Sequence, residues 1–147
     1  RFKRVFQALE SAEPPRQGVF FDGQVFDAHS FVSRIVRKAK ASLVLVDNYV
    51  DESVLTLFTK RRKDVSVTIY TRKISSRLAL DVKKFNEQYP AIEVAEFGKA
   101  HDRFLIIDEK EVYHIGASLK DLGKKWFAFS KIEIDAAEML SKLRARG

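Results

Sequence analysis

The residues best suited to chemistry lie close together, between His101 and Asp108 and in the segment that follows. His101 and Arg103 are two residues apart, and side chains two apart in a strand point to the same face. An imidazole can attack a reacting centre or transfer a proton, and a guanidinium binds phosphate through its fork of N–H donors. The pair therefore predicts a phosphate-binding site. No cluster of carboxylates or histidines lies beside the pair in the sequence, so we do not expect a metal site there.

A hairpin is predicted to bring more polar groups to this pair. With a two-residue turn at 109–110, the numbers of paired residues sum to 219, so His101 pairs with Ser118 and Arg103 with Gly116. Directly opposed residues lie close on one face, and a glycine there would leave room for a ligand. The spacing predicts that an anion binds among these side chains.

Lys99 and the segment 47–49 are further candidates for the same cleft, whereas Asp108 does not fit it by strand parity. Lys99 precedes His101 by two residues and could reach a phosphate. Asp108 falls on the opposite face by strand parity or in the turn, where it can accept a backbone N–H. The segment 47–49, Asp-Asn-Tyr, follows an apolar strand and either lines the cleft or forms a helix-capping loop.

The hydrophobic pattern from residue 18 onward predicts the elements that must position these groups. Strands and helices alternate, which indicates an α/β fold with a mixed sheet and helices on both faces. The predicted strands span 19–21, 42–46, 65–70, 92–97, 102–107, 112–115 and 126–132. The predicted helices span 28–40 with Asp27 as cap, a short segment from Asp51 or Ser53, a segment from Ser75 or Ser76 to Pro90, and a segment after Asp135.

The N-terminal segment has a different character. Apolar residues at helical spacing over 1–12 predict a helix, and Glu13-Pro14-Pro15 breaks it. We divide the chain into a helix and linker from an upstream region, residues 1–17, and one domain over 18–147.

The amino-acid composition excludes several classes of function. The chain has 147 residues, a formal charge of +7, no cysteine and three histidines. Absence of cysteine excludes disulfides, thiolate metal sites and a cysteine nucleophile. No apolar run approaches the ~20 residues of a membrane span, so we expect no membrane partner and a cytoplasmic location. The positive balance suits a polyanionic partner such as nucleic acid. The basic residues of 60–63, 72–73, 77 and 83–84 either track its backbone or form solvated faces.

The motif around His101 resembles that of the phospholipase D superfamily. The family pattern is His-x-Lys-x4-Asp, followed by Gly-Ser-x-Asn. This chain has His101-x-Arg103-x4-Asp108, then Gly116-Ala117-Ser118-Leu119-Lys120. It departs from the pattern at Arg103, at the inserted alanine, and at Lys120 in place of asparagine. The predicted order of strands and helices from residue 18 is also similar to one half of that fold.

The resemblance implies a site shared by two copies of the motif. In the family one histidine attacks phosphorus, the other protonates the leaving oxygen, and neither a metal nor another cofactor is needed. A single-motif chain would then be a homodimer with His101 of both copies in one cleft. The resemblance implies that His101, Arg103 and Asp108 are catalytic. It also implies that Arg103, Gly116, Ser118, Lys120 and Lys99 bind phosphate.

Two functions remain open at this stage. The first is a dimeric, metal-independent phosphodiesterase that acts as a nuclease, and the retained His101 favours it. The second is a catalytically degenerate module that dimerises a DNA-binding regulator and binds nucleic acid or another ligand. Arg103, Lys120 and the absence of a carboxylate in 125–131 to orient His101 favour the second. The chain is also similar to the C-terminal part of bacterial proteins with a phage-regulator-type DNA-binding domain at their N-terminus, in line with that alternative.

Overall fold

The computed structural model describes residues 13–145, so the predicted helix over 1–12 lies outside the described part. Seven strands and four α-helices follow one another, with 3₁₀ turns at Phe58–Lys60 and Leu119–Asp121. In chain order they are β1 (Gln17–Phe20), α1 (Val25–Lys38), β2 (Ser42–Val46), α2 (Glu52–Leu57), β3 (Ser66–Thr71), α3 (Ser76–Gln88), β4 (Glu93–Glu96), β5 (Arg103–Ile107), β6 (Glu111–Ile115), β7 (Phe127–Ile132) and α4 (Ala136–Ala145).

The strands form one sheet in the order β1-β7-β6-β5-β2-β3-β4. β2, β3 and β4 are parallel, and each of the other neighbouring pairs is antiparallel. This mixed α/β sheet confirms the predicted fold class.

Both faces of the sheet are covered. Successive residues of β2 alternate between two hydrophobic cores, because side chains along a strand point to opposite faces. Leu43 and Leu45 pack beneath α1 and α2, whereas Val44 and Val46 pack beneath α4. This is why the apolar run over 42–46 is continuous. We refer to the two sides as the α1 face and the α4 face.

The first helix begins earlier than predicted, at Val25, and Asp27 lies in its first turn rather than at its cap. The chain reverses at Asp22-Gly23, where Gly23 has a φ of 89°. Gln24 then occupies the N-cap position, and its side-chain oxygen accepts the Phe21 N–H at 2.7 Å. Asp27 still lies where the positive end of the helix dipole favours a carboxylate.

The aromatic side chains of β7 belong to the core of the domain. Phe127 and Phe129 are buried against Phe20, and Phe129 also packs on Phe31 of α1 with ring centroids 4.1 Å apart. They are therefore not available to stack on bases or to form a dimer interface. Trp126, just before the strand, remains 67% exposed.

The β5–β6 hairpin has a different register from the one predicted. Ile107 pairs with Glu111 and Arg103 pairs with Ile115, so the numbers of paired residues sum to 218. The loop contains three residues, and Asp108 and Glu109 adopt left-handed φ values of 56° and 58°. The predicted pairings of His101 with Ser118 and of Arg103 with Gly116 are therefore wrong by one residue.

Asp108 explains why the longer loop is stable. Its carboxylate accepts the backbone N–H groups of Lys40, Ala41 and Ser42 at 2.7–3.1 Å. These bonds fasten the hairpin to the connection between α1 and β2. Burial raises the pKa of Asp108, but the three backbone donors outweigh it and the pKa lies below its ordinary value.

Replacing Asp108 with asparagine is expected to lower the free energy of unfolding at neutral pH by about 1–3 kcal/mol, because hydrogen bonds to an ionised acceptor are lost. Asparagine tolerates the left-handed backbone, so the change isolates the charge. Since the folded pKa is lowered, the contribution is present above about pH 4 and disappears as the pH falls further. Urea denaturation at pH 7 and pH 3 measures this, with the exposed Glu87→Gln as control. Equal losses at both pH values would contradict the assignment.

Candidate functional site

Most of the candidate residues meet at one edge of the sheet. The parallel strands β2, β3 and β4 end there, and the antiparallel neighbours β5 and β7 begin there. We call this the carboxyl edge. Ligands of open α/β sheets commonly bind outside the carboxyl ends of their strands.

Arg103 opens β5 at this edge and is held by the backbone of the neighbouring strand. Its Nη2 donates to the carbonyl oxygen of Gly116 at 2.7 Å, and its Nε donates to that of Ile115 at 3.3 Å. Within residues 13–145 it makes no ion pair. The guanidinium is therefore oriented by neutral acceptors while its positive charge remains available to an anion.

The space that a glycine at position 116 was expected to leave for a ligand is not open. A Cβ at this position would lie 2.8 Å from the carbonyl oxygen of Ala128 and 3.2 Å from its nitrogen. The space left by the missing side chain is thus filled by the β7 backbone and does not hold a ligand. Gly116 N–H donates to the same Ala128 oxygen, and its own carbonyl receives Arg103.

Ser118 is buried, and its hydroxyl donates to Asp47 Oδ1 at 2.9 Å. Asp47 also accepts the N–H groups of Leu119 and Tyr49. It is fully buried, and this burial raises its pKa, although the hydrogen bonds and the charge of Arg103 act in the opposite direction. Asp47 therefore ties the end of β2 to the segment after β6 and lies beneath the site instead of lining it.

Two adjoining cavities open on the α1 face of the carboxyl edge. The first, which we call the Arg103 cavity, has a volume of about 530 Å³ and is lined by Tyr49, Arg103, Gly116, Ala117, Ser118, Asp121, Lys124, Lys125 and Trp126. The second, the Lys120 cavity, has a volume of about 510 Å³ and is lined by Asn48, Tyr49, Val50, Asp51, Arg72, Lys73 and Lys120. Tyr49 is common to both and is 52% exposed.

Positive charge dominates the lining of both cavities. Lys120 and Lys124 share the carboxylate of Asp121, at 3.0 and 3.2 Å. Four further cations have no ion-pair partner within residues 13–145: Arg72, Lys73, Arg103 and Lys125. Unpaired cations gathered around a concave surface attract anions. The positive charges that line the two cavities therefore complement the negative charges of a chain of phosphates.

His101 lies outside the Arg103 cavity. β5 begins only at Arg103, so strand parity does not apply to His101, whose side chain is fully exposed. Its Nδ1 lies 3.3 Å from Asp102 Oδ1, and the other oxygen of Asp102 lies 3.3 Å from His114 Nε2. Because Asp102 also precedes β5, the alternation of a strand does not turn its carboxylate away from His101. The hydrogen bond with His101 lowers the pKa of Asp102, so this carboxylate is ionised at neutral pH.

The structure separates two other candidates from Arg103. Lys99 lines a third cavity, on the α4 face of the same edge. Asp108 lies at the far end of β5, five residues beyond the start of that strand's pairing with β6, where it holds the hairpin as described above. Lys120 lines the cavity next to that of Arg103, with Tyr49 between them.

Some residues of the site were not singled out from the sequence. Lys124 and Lys125 lie in the turn before β7 and line the Arg103 cavity. Asp102 contacts His101 because β5 starts at Arg103, one residue later than expected. The run Lys124-Lys125-Trp126, two cations followed by an aromatic residue, is the sequence pattern that could have indicated this part of the surface. Arg72 and Lys73 belonged to the predicted basic scatter, and the structure places them at the edge.

Within residues 13–145 no three histidine or acidic side chains are grouped to hold a metal ion. Over the same range, each helix is too short or too polar to cross a lipid bilayer.

No protein-family model and no curated protein matches the sequence. Solved structures do match. NucT from Helicobacter pylori, a phospholipase D-family nuclease, aligns over 88% of this chain and 91% of its own, at 16% identity and a TM-score of 0.59. TrmBL2, an archaeal chromatin protein with a novel mode of DNA binding, aligns over 98% of this chain at 17% identity and a TM-score of 0.54.

Polyphosphate kinase from Porphyromonas gingivalis, of the phospholipase D superfamily, aligns over 97% of this chain at 15% identity and a TM-score of 0.55. The chain spans only 58% of TrmBL2 and 24% of the kinase. The protein therefore has a phospholipase D-like fold, as the motif predicted. At these identities the likeness concerns the fold.

Proposed function

We propose that this domain binds the phosphodiester backbone of nucleic acid along the carboxyl edge of its sheet. The observation that carries the proposal is the set of four cations without ion-pair partners, Arg72, Lys73, Arg103 and Lys125, around two adjoining cavities. Phosphates bound there would release counterions, and such binding weakens steeply with salt. NucT and TrmBL2, with a nuclease function and a DNA-binding role respectively, have the same fold.

Exposed aromatic rings beside the cations fit the same ligand. Tyr49 stands between the two cavities, and Trp126 borders the Arg103 cavity. The Trp126 ring is fixed because its Nε1 donates to Asp22 at 2.7 Å and its edge packs against Phe21. A fixed, exposed ring can stack on a nucleobase while lysine and arginine contact phosphates.

A pair of charge-matched triple variants tests this proposal. Arg72→Ala/Lys73→Ala/Lys125→Ala removes three cations of the edge, and Lys60→Ala/Lys63→Ala/Lys110→Ala removes three exposed cations elsewhere. We expect the first to weaken binding of a fluorescent 20-nucleotide DNA about 10–100-fold and to reduce the salt slope by about 2, with little effect of the second. Anisotropy titrations at several salt concentrations measure both. Equal losses in the two variants would refute a defined site.

We also propose that two copies associate with their His101 side chains in one cleft, since one motif is half of a two-motif site. The full exposure of the His101 side chain supports this proposal. Light scattering at tens of micromolar is expected to give about twice the 16.9 kDa mass of the chain. A mass of one chain under these conditions, with or without DNA, would contradict the shared site.

A second candidate function, phosphodiester hydrolysis, is favoured by the contact between His101 and Asp102. An ionised carboxylate only accepts hydrogen bonds, so it fixes the proton on Nδ1 and leaves the Nε2 lone pair for attack. Nε2 of one copy would form a bond to phosphorus. The phosphorus–oxygen bond to the leaving group breaks, and the leaving oxygen takes a proton from the His101 of the second copy. Water, deprotonated by that second imidazole, then cleaves the phosphohistidine.

A further inference from the structure

The α4 face of the carboxyl edge holds a cavity that the proposed function does not use. Its volume is about 430 Å³, within the range of small-molecule sites, which is about 300–1,000 Å³. It lies between the C-terminal half of α4 and the ends of β2, β4 and β5, and it has no lining residue in common with the Arg103 or Lys120 cavity. We call it the Met139 cavity.

The walls of the Met139 cavity are apolar. Val46 and Leu143 are buried at its base, and the side chains of Phe97, Phe104 and Met139 are only half-buried. These three large apolar groups pack on the core beneath α4 but keep part of their surface towards the cavity. Covering that surface with an apolar ligand would be favourable by the hydrophobic effect.

The two charged residues that line the cavity are both cationic. Lys99 precedes β5, and Lys142 lies in the last turn of α4. Neither has an ion-pair or hydrogen-bond partner in residues 13–145, and both are exposed. Among residues 13–145, no acidic residue lines this cavity. A ligand with an apolar body and an anionic head would therefore complement both the wall and the rim.

We propose that the Met139 cavity binds a small amphiphile whose apolar chain or ring enters the cavity and whose carboxylate or similar anionic head pairs with Lys99 and Lys142. The opposite arrangement, a cationic head, would bring like charges together at the rim. The proposal assigns Lys99 to this ligand instead of to the phosphate site on the α1 face. It does not depend on nucleic-acid binding or on hydrolysis.

The single methionine of the sequence supplies a site-specific probe. Met139 is the only methionine, so ¹³C-methyl labelling gives one protein resonance located in the cavity wall. We expect monomeric decanoate to shift this resonance in a saturable manner. Along the series hexanoate, octanoate, decanoate, the affinity should rise about four-fold per added methylene. Decyltrimethylammonium, with the same chain and opposite charge, should bind at least about ten-fold more weakly.

Charge reversal at the rim tests the role of the lysines. Lys99→Glu/Lys142→Glu is expected to reverse the preference, so that decyltrimethylammonium binds better than decanoate. Lys60→Glu/Lys63→Glu carries the same change of net charge away from the cavity and should leave the preference unchanged. The altered residues are exposed, and the chain-length series on wild type tests the pocket without any mutation.

Three results would overturn the proposal. One is equal affinity for the two decyl ligands in wild type, and another is a preference that survives the rim reversal. The third is binding only to phosphatidylglycerol vesicles with no response to monomeric decanoate, because that would indicate a membrane surface instead of a small ligand. A loss of DNA binding with normal decanoate binding would affect only the proposed function.

Discussion

His101→Ala is expected to abolish DNA cleavage in excess EDTA, with a loss of at least about 10³-fold, because it removes the nucleophile. The reason is that no other imidazole contacts a carboxylate while remaining fully exposed within residues 13–145. Cleavage of single-stranded and duplex DNA at several pH values measures this. Activity should peak near neutral pH, because one imidazole must be neutral and the other charged.

Control variants sharpen the interpretation of that experiment. His29→Ala on α1 removes a histidine that is not among the residues lining the Arg103 or Lys120 cavity and should leave cleavage unchanged. A requirement for Mg²⁺, or full activity of His101→Ala, would contradict the histidine mechanism. An inactive wild type that gains cleavage with Arg103→Lys would show that the arginine silences the site, and the protein would then be a binding module.

Gly116→Ala is expected to lower the free energy of unfolding by about 3 kcal/mol, at the upper end of the usual cost of overpacking. The new methyl group would lie 2.8 Å from a backbone oxygen of Ala128, so the strand itself must move. The same movement displaces the carbonyl that receives Arg103, so nucleic-acid binding should weaken as well. Urea denaturation and DNA anisotropy measure the two effects.

Gly98→Ala is the matched control for Gly116→Ala. A Cβ at Gly98 meets nothing within 4 Å, so stability should change by no more than about 0.5 kcal/mol. If the two substitutions had equal effects, the close approach of β7 to Gly116 would not be what requires a glycine there.

The fold could be predicted from the sequence because its hydrophobic pattern is regular. Continuous apolar residues over 42–46 marked a strand covered on both faces, and Asp51 and Ser75 were identified as alternatives for the caps that the structure shows. The hydrophobic pattern does not reveal the hydrogen bond between Gln24 and the Phe21 N–H at the start of α1. The N-cap there is Gln24, because the turn at Gly23 reverses the chain earlier.

The site was only partly predictable because its geometry depends on one turn. A two-residue turn and a three-residue turn are both compatible with the alternating residues of β5 and β6. Asp108 decides between them through backbone N–H groups nearly 70 residues earlier in the chain. The shift by one residue places His114 on the face of Phe104 and of Asp102, away from Arg103.

The most direct test of the central claim is the position of a phosphate-like anion in crystals soaked with selenate, located by its anomalous scattering. We predict an ion within about 3 Å of the Arg103 guanidinium, on the α1 face between Tyr49 and Lys125. Selenate bound at other surface cations, with the Arg103 cavity lacking an ion, would contradict it.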